Sequence, residues 1–226
     1  MDEDPARTMK AVLVAGGEPQ PSDARWLRDA DLVVAVDGGA GWLTTIGRRP
    51  DALVGDLDSV DPGLVTSLEA AGVLIERHPT EKDASDTALA LDYVRRQGAT
   101  EAVVIGAFGG PRLDHEIANV LMLSEAPAVP SVDLRLVRGP VRVRCVRAGR
   151  PLAIDAPPGS LVSLLPVGGD AQGVVTSGLR YALHDELLPQ GSTRGLSNEV
   201  VAGEASVQLK TGTLLIIETA SEGDIA

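Results

Sequence analysis

Residues 32–59 read LVVAVDGGAGWLTTIGRRPDALVGDLDS, and their layout decides the fold. Two apolar runs, 32–36 and 52–54, each lead into an acid: Asp37 ahead of Gly38-Gly39, and Asp56 just past Gly55. The runs are short, rich in Val, Leu and Ala, and do not alternate with polar residues. Strands buried on both faces, as in a parallel sheet, read this way. Outward from this stretch the same kind of run recurs at 11–15, 73–75, 102–105 and 134–137. Helix-like segments lie between. Residues 85–97 carry Ala88, Leu91 and Val94 on one face, and residues 115–124 carry Ile117, Leu121 and Ser124, with Ala118 and Met122 beside them. The strand–helix alternation predicts an α/β, Rossmann-like parallel sheet covered by helices.

After about residue 137 the helical period stops. Strand-like segments at 141–147, 161–165, 172–176, 205–209 and 213–218 are separated by turns such as Pro157-Pro158-Gly159 and Val167-Gly168-Gly169-Asp170. In 141–147, Val141, Val143 and Cys145 share one face and Arg142 and Arg144 the other, as in a half-buried strand. The expected architecture is an α/β domain over 1–138 followed by an all-β sandwich over 139–226.

Composition narrows the function. With 20 Lys+Arg against 32 Asp+Glu, the net charge is −12, and aromatics are 2% of 226 residues. Nucleic-acid binding needs a basic surface and usually stacking rings, so it is not expected. The single cysteine, Cys145, excludes a disulfide within the chain and a thiolate metal cluster. No apolar run approaches the roughly 18 residues of a membrane span. The opening MDEDPARTMK is acidic rather than signal-like, so a soluble cytoplasmic protein is expected.

Ligands of open parallel sheets bind beyond the carboxyl ends of the strands, and four polar clusters fall there. Asp37-Gly38-Gly39 is either a tight turn or a place where phosphate approaches backbone N–H groups. Asp56 and Asp58, two residues apart, share a side of an extended segment. They sit among six acids and no base between Asp51 and Glu76. A hard divalent cation such as Mg²⁺ would relieve their repulsion; alternatively, Asp58 or Ser59 caps the helix opening near Asp61-Pro62. In Glu81-Lys82-Asp83-Ala84-Ser85-Asp86, Asp83 suits an N-cap and Asp86 the first turn, while Lys82 among three acids suits a phosphate contact beside a metal ligand. In residues 106–115, Arg112 can grip phosphate oxygens and Asp114 sits where an N-cap would; His115 reads as a surface residue. No Gly-x-x-x-x-Gly-Lys-Ser/Thr, Gly-x-Gly-x-x-Gly helix opening, Gly-x-Ser-x-Gly or His-Glu-x-x-His occurs, which disfavours P-loop kinases, dehydrogenases, α/β-hydrolases and zinc hydrolases.

In order, AVDGGAGWL (35–43), PDALVGDLDSV (50–60), EKDASDTALAL (81–91), GAFGGPRLDHEIANVLML (106–123), SLLPVGGDAQGVVTSGLRYAL (163–183) and GLSNE (195–199) resemble the thiamine pyrophosphokinase (thiamin diphosphokinase) family. The likeness runs over roughly residues 11–218. It implies an α/β catalytic domain followed by a β-sandwich that binds thiamine and dimerises. It also implies transfer of the pyrophosphoryl group of ATP to thiamine, with thiamine diphosphate and AMP as products, in a homodimer that uses Mg²⁺. By this resemblance, Asp56, Asp58 and Asp86 bind Mg²⁺. Asp37, Gly38, Gly39, Lys82, Asp83 and Arg112 face ATP. Asp114, Ser197 and Asn198 face thiamine, and Arg112 and Asp114 join the three metal-binding aspartates in catalysis. The chain differs from the family's pattern in Lys82, where animal members carry Gln, and in Pro111, inserted before Arg112. It also lacks a Trp in the β half, where Tyr181 is the only aromatic after Phe108. A diphosphokinase for another hydroxyalkyl heterocycle, such as a pterin, and a non-catalytic binding module are the competing expectations.

Overall fold

The structure, a computed structural model, describes residues 8–124, 132–149 and 151–221; the acidic start of the chain and the outer ends of the two expected domains lie outside them. The described residues form two compact units that part between Arg138 and Gly139, with residues 120–124 counted with the second.

The first unit contains β1 (Lys10–Val14), β2 (Leu32–Val36), α1 (Gly39–Thr45), β3 (Ala52–Gly55), α2 (Pro62–Ala70), β4 (Leu74–Arg77), α3 (Asp86–Arg96), β5 (Glu101–Ile105), α4 (Leu113–Met122) up to Asn119, and β6 (Asp133–Arg138). Its strands lie in the order β6-β5-β1-β2-β3-β4, and every pairing is parallel. After the opening Lys10 of β1 and Glu101 of β5, the central strands run apolar because both faces are covered. Val12, Val14, Val33, Ala35, Leu53, Val103 and Ile105 share a core with Leu43, Val65 and Leu68 of α1 and α2. The opposite faces of β1, β2 and β3 lie under α3, which buries Thr87, Ala90, Tyr93 and Val94.

Three local expectations are corrected. The buried face of α3 is centred on Ala90 and Tyr93, with Leu91 to its side; the pattern missed this because Tyr93 carries a polar tip on a ring that behaves as core. β4 is an edge strand and is buried on neither face, with Leu74 50% exposed. On α4 the stripe Leu113, Ile117 and Leu121 is 65%, 51% and 48% exposed. The residue α4 buries is Asn119, whose Nδ2 donates to Ala107 O at 3.0 Å.

The second unit contains β7 (Val141–Arg147), β8 (Leu152–Ile154), β9 (Leu161–Pro166), β10 (Ala171–Ser177), β11 (His184–Leu188), β12 (Asn198–Glu199), β13 (Ala205–Gln208) and β14 (Thr213–Thr219). Two antiparallel sheets, β12-β9-β14-β7 and β11-β10-β13-β8, share one core. Val146, Val162, Leu164, Leu214 and Ile216 meet Ala171, Val174, Leu188, Ala205 and Val207 there. This is the expected sandwich, with β7 buried on both faces: Val143, on the face the sequence reading gave to the interior, is buried, and so is the face given to solvent. Val146 enters the shared core, and Arg144, on the same face, is buried with it. Arg144 tolerates burial because its guanidinium is paired with Glu218 and Asp155.

Candidate active site

Asp37 follows β2 directly. Its N–H donates to Val54 O at 3.0 Å, and its φ of +44° is a left-handed conformation that Asp adopts more readily than most residues. This fold of the chain sinks the carboxylate half-way into the protein, and Oδ1 has no hydrogen-bond partner among the described residues. Burial raises the Asp37 carboxyl above its ordinary value; hydrogen bonds from Ser59 and Gly38 oppose that rise, and the nearby charges of Asp86 and Asp56 add to it. Gly39 has a packing reason: a Cβ there would stand 1.8 Å from Val14 O, so only glycine lets α1 lie against β1.

The next loop brings Asp56 and Asp58 together by a different route from the expected extended segment. Leu57 has φ +66°, a conformation costing a Leu roughly 1–2 kcal/mol, and its buried side chain holds it there. The turn lets Asp58 N donate to Asp56 Oδ1 at 3.2 Å. Asp58 Oδ1 accepts from Ser59 Oγ at 2.9 Å. Neither aspartate caps α2: Asp61 does, accepting from Leu64 N at 3.0 Å. Asp58 therefore has no capping duty on that helix.

The same substitution of roles occurs at α3. Ser85, not Asp83, is the N-cap, accepting from Ala88 N at 3.2 Å. Asp83 is exposed on the loop, and Asp86 opens the helix, where the dipole favours a carboxylate. Lys82 Nζ donates to Asp56 Oδ2 at 2.6 Å and lies 2.9 Å from Asp86 Oδ1, as an ion pair without hydrogen-bond alignment. The Lys82 hydrogen bond holds the Asp56 carboxyl below its ordinary value. Burial works against the Lys82 ammonium, but Asp56 and Asp86 outweigh it and raise its pKa. Gly55 lies beneath the group; a Cβ there would be 3.1 Å from Asp37 Cβ and 3.3 Å from Asp86 Oδ1.

Carboxylate oxygens of Asp37, Asp56 and Asp58 lie within 4.8 Å of one another. Asp37 Oδ1, without a hydrogen-bond partner among the described residues, and Asp86, whose Oδ1 pairs with Lys82, complete an all-oxygen donor set. Hard divalent cations take such donors, and these residues fit one. The sequence reading had Asp86 where the structure brings Asp37 into the tightest group; Asp86 joins through Lys82 and Gly55.

The loop after β5 holds the remaining first-unit candidates. Arg112 donates to Asp114 through Nε at 2.9 Å and Nη2 at 2.6 Å, and both side chains are exposed. That bond pushes the Asp114 carboxyl down to about 2. Asp114 lies inside α4 rather than at its cap. Sequence reasoning passed over the partner loop, Gly16-Gly17-Glu18. Gly17 N donates to Gly106 O at 3.0 Å and Glu18 N to Phe108 O at 2.8 Å, zipping the loops after β1 and β5 together. A Gly-Gly pair after the first apolar run was the available signal. Ser59, a cap candidate by sequence, instead bonds both Asp37 and Asp58.

In the second unit, a pocket of about 300 Å³ is lined by Leu164, Tyr181, Leu183, Arg194, Leu196 and Asn198, among others. Asn198 is buried, and its amide is used on the backbone: Oδ1 accepts from Tyr181 N at 3.0 Å, and Nδ2 donates to Tyr181 O at 2.8 Å. Ser197 is exposed, left-handed at φ +55°, and tied to β9 through its N–H to Ser163 Oγ at 3.2 Å. Asn198 thus shapes the pocket wall, and Ser197 stands beside it.

Comparison with known proteins covers both units. Residues 24–134 match the family model described as thiamin pyrophosphokinase, catalytic domain, and residues 152–215 match thiamin pyrophosphokinase, vitamin B1 binding domain. Thiamine pyrophosphokinase of Bacillus subtilis is 24% identical over 214 residues, covering 93% of this chain and 99% of the relative. Its crystal structure superposes with a TM-score of 0.83, covering 94% of this chain and 99% of that one. The thiamin pyrophosphokinase structure from Geobacillus thermodenitrificans is 27% identical, with a TM-score of 0.80 over 96% of this chain and 100% of that one.

Proposed function

The chain belongs to the thiamin pyrophosphokinase family, and from that premise we propose that it transfers the pyrophosphoryl group of ATP to the hydroxyl of thiamine, giving thiamine diphosphate and AMP. The observation that carries the reading is the meeting of Asp37, Asp56 and Asp58 from two separate strand ends, with Lys82 tying Asp86 to Asp56. Residues 1–138 would bind ATP and the metal, and residues 139–226 would bind thiamine and dimerise.

The products dictate the bond chemistry. The thiamine hydroxyl oxygen attacks the β-phosphorus of ATP and gives up its proton to water, and the bond from that phosphorus to the α–β bridging oxygen breaks, so AMP leaves. Such transfers need positioning and charge neutralisation more than covalent help. Asp37, Asp56, Asp58 and Asp86 would hold Mg²⁺, which, when bound, supplies neutralising charge to the triphosphate oxygens. Lys82 keeps its ammonium and offers it to phosphate; Arg112 offers a planar fork suited to two phosphate oxygens. Asp37, Gly38, Gly39 and Asp83 would border the nucleotide. Asp114, with its carboxyl at about 2, is a poor proton acceptor at neutral pH, and its two bonds aim Arg112 instead. On the thiamine side, Asn198 fixes the Tyr181 backbone at the pocket wall and Ser197 offers a hydroxyl. For a homodimer, the support is the family resemblance together with the exposed apolar stripe on α4. A cytoplasmic setting accords with the absence, among the described residues, of any helix long and apolar enough to cross a membrane.

The test is AMP release from ATP and Mg²⁺ with thiamine, run beside hydroxymethylpterin. AMP formed with thiamine alone is the expected result. Release only with the pterin would transfer the assignment to that substrate, and binding without turnover would make the chain a module.

A further inference from the structure

Lys82 reaches the acidic group from the loop before α3, with its side chain only 13% exposed. Two carboxylates pair with it, Asp56 and Asp86, and Asp56 in turn gathers with Asp37 and Asp58. Asp56 serves two partners at once. It belongs to the trio whose oxygens lie within 4.8 Å of one another, and its Oδ2 accepts from Lys82 Nζ at 2.6 Å. Lys82 also pairs with Asp86, its Nζ lying 2.9 Å from Oδ1. An ammonium and a divalent ion on one carboxylate repel each other across a few ångströms, where solvent screens little.

We propose that Lys82 is a tethered counter-cation that competes with the divalent ion for these carboxylates, so that bare metal binds weakly and metal arriving with a triphosphate binds well. The triphosphate gives the ammonium a new anionic partner, and Lys82 passes from Asp56 and Asp86 to phosphate. Lys82 is then a specificity-determining residue: it makes the carboxylate group select a metal–nucleotide complex over the free ion. This inference rests on reading the group as a metal–triphosphate site.

The test uses Mn²⁺ as the probe, its free concentration followed by electron paramagnetic resonance, with and without a non-hydrolysable ATP analogue. Lys82→Gln and Lys82→Met should each bind Mn²⁺ alone at least about tenfold more tightly than the native chain. With the analogue present, the native chain should bind Mn²⁺ more tightly than either variant. Lys82→Arg, which keeps the charge, should retain weak binding of the bare ion. Circular dichroism melts give a second readout: Mn²⁺ should raise the melting temperature of Lys82→Gln more than that of the native chain. Equal or weaker binding of bare Mn²⁺ by Lys82→Gln and Lys82→Met overturns the role given to Lys82; if Asp58→Asn still abolishes Mn²⁺ binding, the metal reading survives. An unreversed order with the analogue overturns the transfer to phosphate. No Mn²⁺ binding by any of these proteins overturns both readings.

Discussion

Lys82 in the first unit and Arg144 in the second are both cations sunk among carboxylates, with side chains 13% and 4% exposed. Their surroundings differ in how much of the bonding capacity is used. Arg144 gives Nε and Nη2 to Glu218 Oε1 at 3.0 and 2.5 Å, Nη2 also to Ala153 O at 2.6 Å, and Nη1 to Asp155 at 3.2 Å. Each nitrogen of the guanidinium has a partner within the fold, although Glu218 Oε2 stays without one. Around Lys82, one ammonium pairs with Asp56 and Asp86, Asp37 and Asp58 gather on Asp56, and Asp37 Oδ1 lacks a hydrogen-bond partner among the described residues. Buried charge that is nearly saturated is a structural device; buried charge with a surplus of one sign is a receptor for the opposite sign.

That contrast can be broken at either end. The largest effect is expected from Asp58→Asn, which leaves the turn and the exposed surface in place but removes a donor from the surplus. Turnover should fall on the order of a thousandfold or more, with the circular dichroism spectrum and melting temperature nearly unchanged. Full activity in that variant would take Asp58 out of the site.

Next comes Arg144→Met, which strands Glu218 in the sandwich core. Denaturant titration should show about 3–5 kcal/mol lost, while turnover per folded molecule stays near native. The paired variant Arg144→Met/Glu218→Leu should recover most of the loss. Failure of that recovery would mean that the ion pair does more than fill its space.

The smallest effect is expected at Asp37. Burial disfavours the charged form of Asp37, so its folded pKa lies above the reference of 3.8. The folded chain therefore loses stability as pH rises from 3.8 through that folded value, and the loss is full at neutral pH. Asp37→Asn removes it and keeps a residue suited to the left-handed backbone. Metal-free melts should show the variant about a degree or two more stable at pH 7, with little difference near pH 3.5. A variant that is less stable at neutral pH would contradict the picture of Asp37 as a strained donor held for a ligand.

How much of this was legible in the sequence depends on what each residue had to satisfy. β1, β2, β3 and β5 could be read because a continuous apolar run this short fits little besides a strand covered on both faces. The sandwich could be read from its turn spacing. Arg144 could not: alternation assigns an arginine to solvent, and what makes burial tolerable is the diagonal neighbour Glu218 on β14 together with Asp155 and Ala153 O. The α4 stripe had the period of a core-facing helix, and a pattern carries no record of which surface covers it. At the site, the acids could be read but their arrangement could not. Leu57 turns left-handed without any glycine to announce it, and Asp61 and Ser85 take over caps that Asp58 and Asp83 could have filled. Those replacements leave Asp56, Asp58 and Asp86 available, and they involve residues that no motif singles out.

The central claim is that aspartates from separate loops gather on one cation beside the triphosphate. A crystal grown with Mn²⁺, thiamine and a non-hydrolysable ATP analogue, measured at an energy where manganese scatters anomalously, tests it most directly. The account predicts one strong peak about 2 Å from oxygens of at least two of Asp37, Asp56, Asp58 and Asp86, and from oxygens of the analogue. A peak bound elsewhere, with these four side chains turned apart, would contradict it.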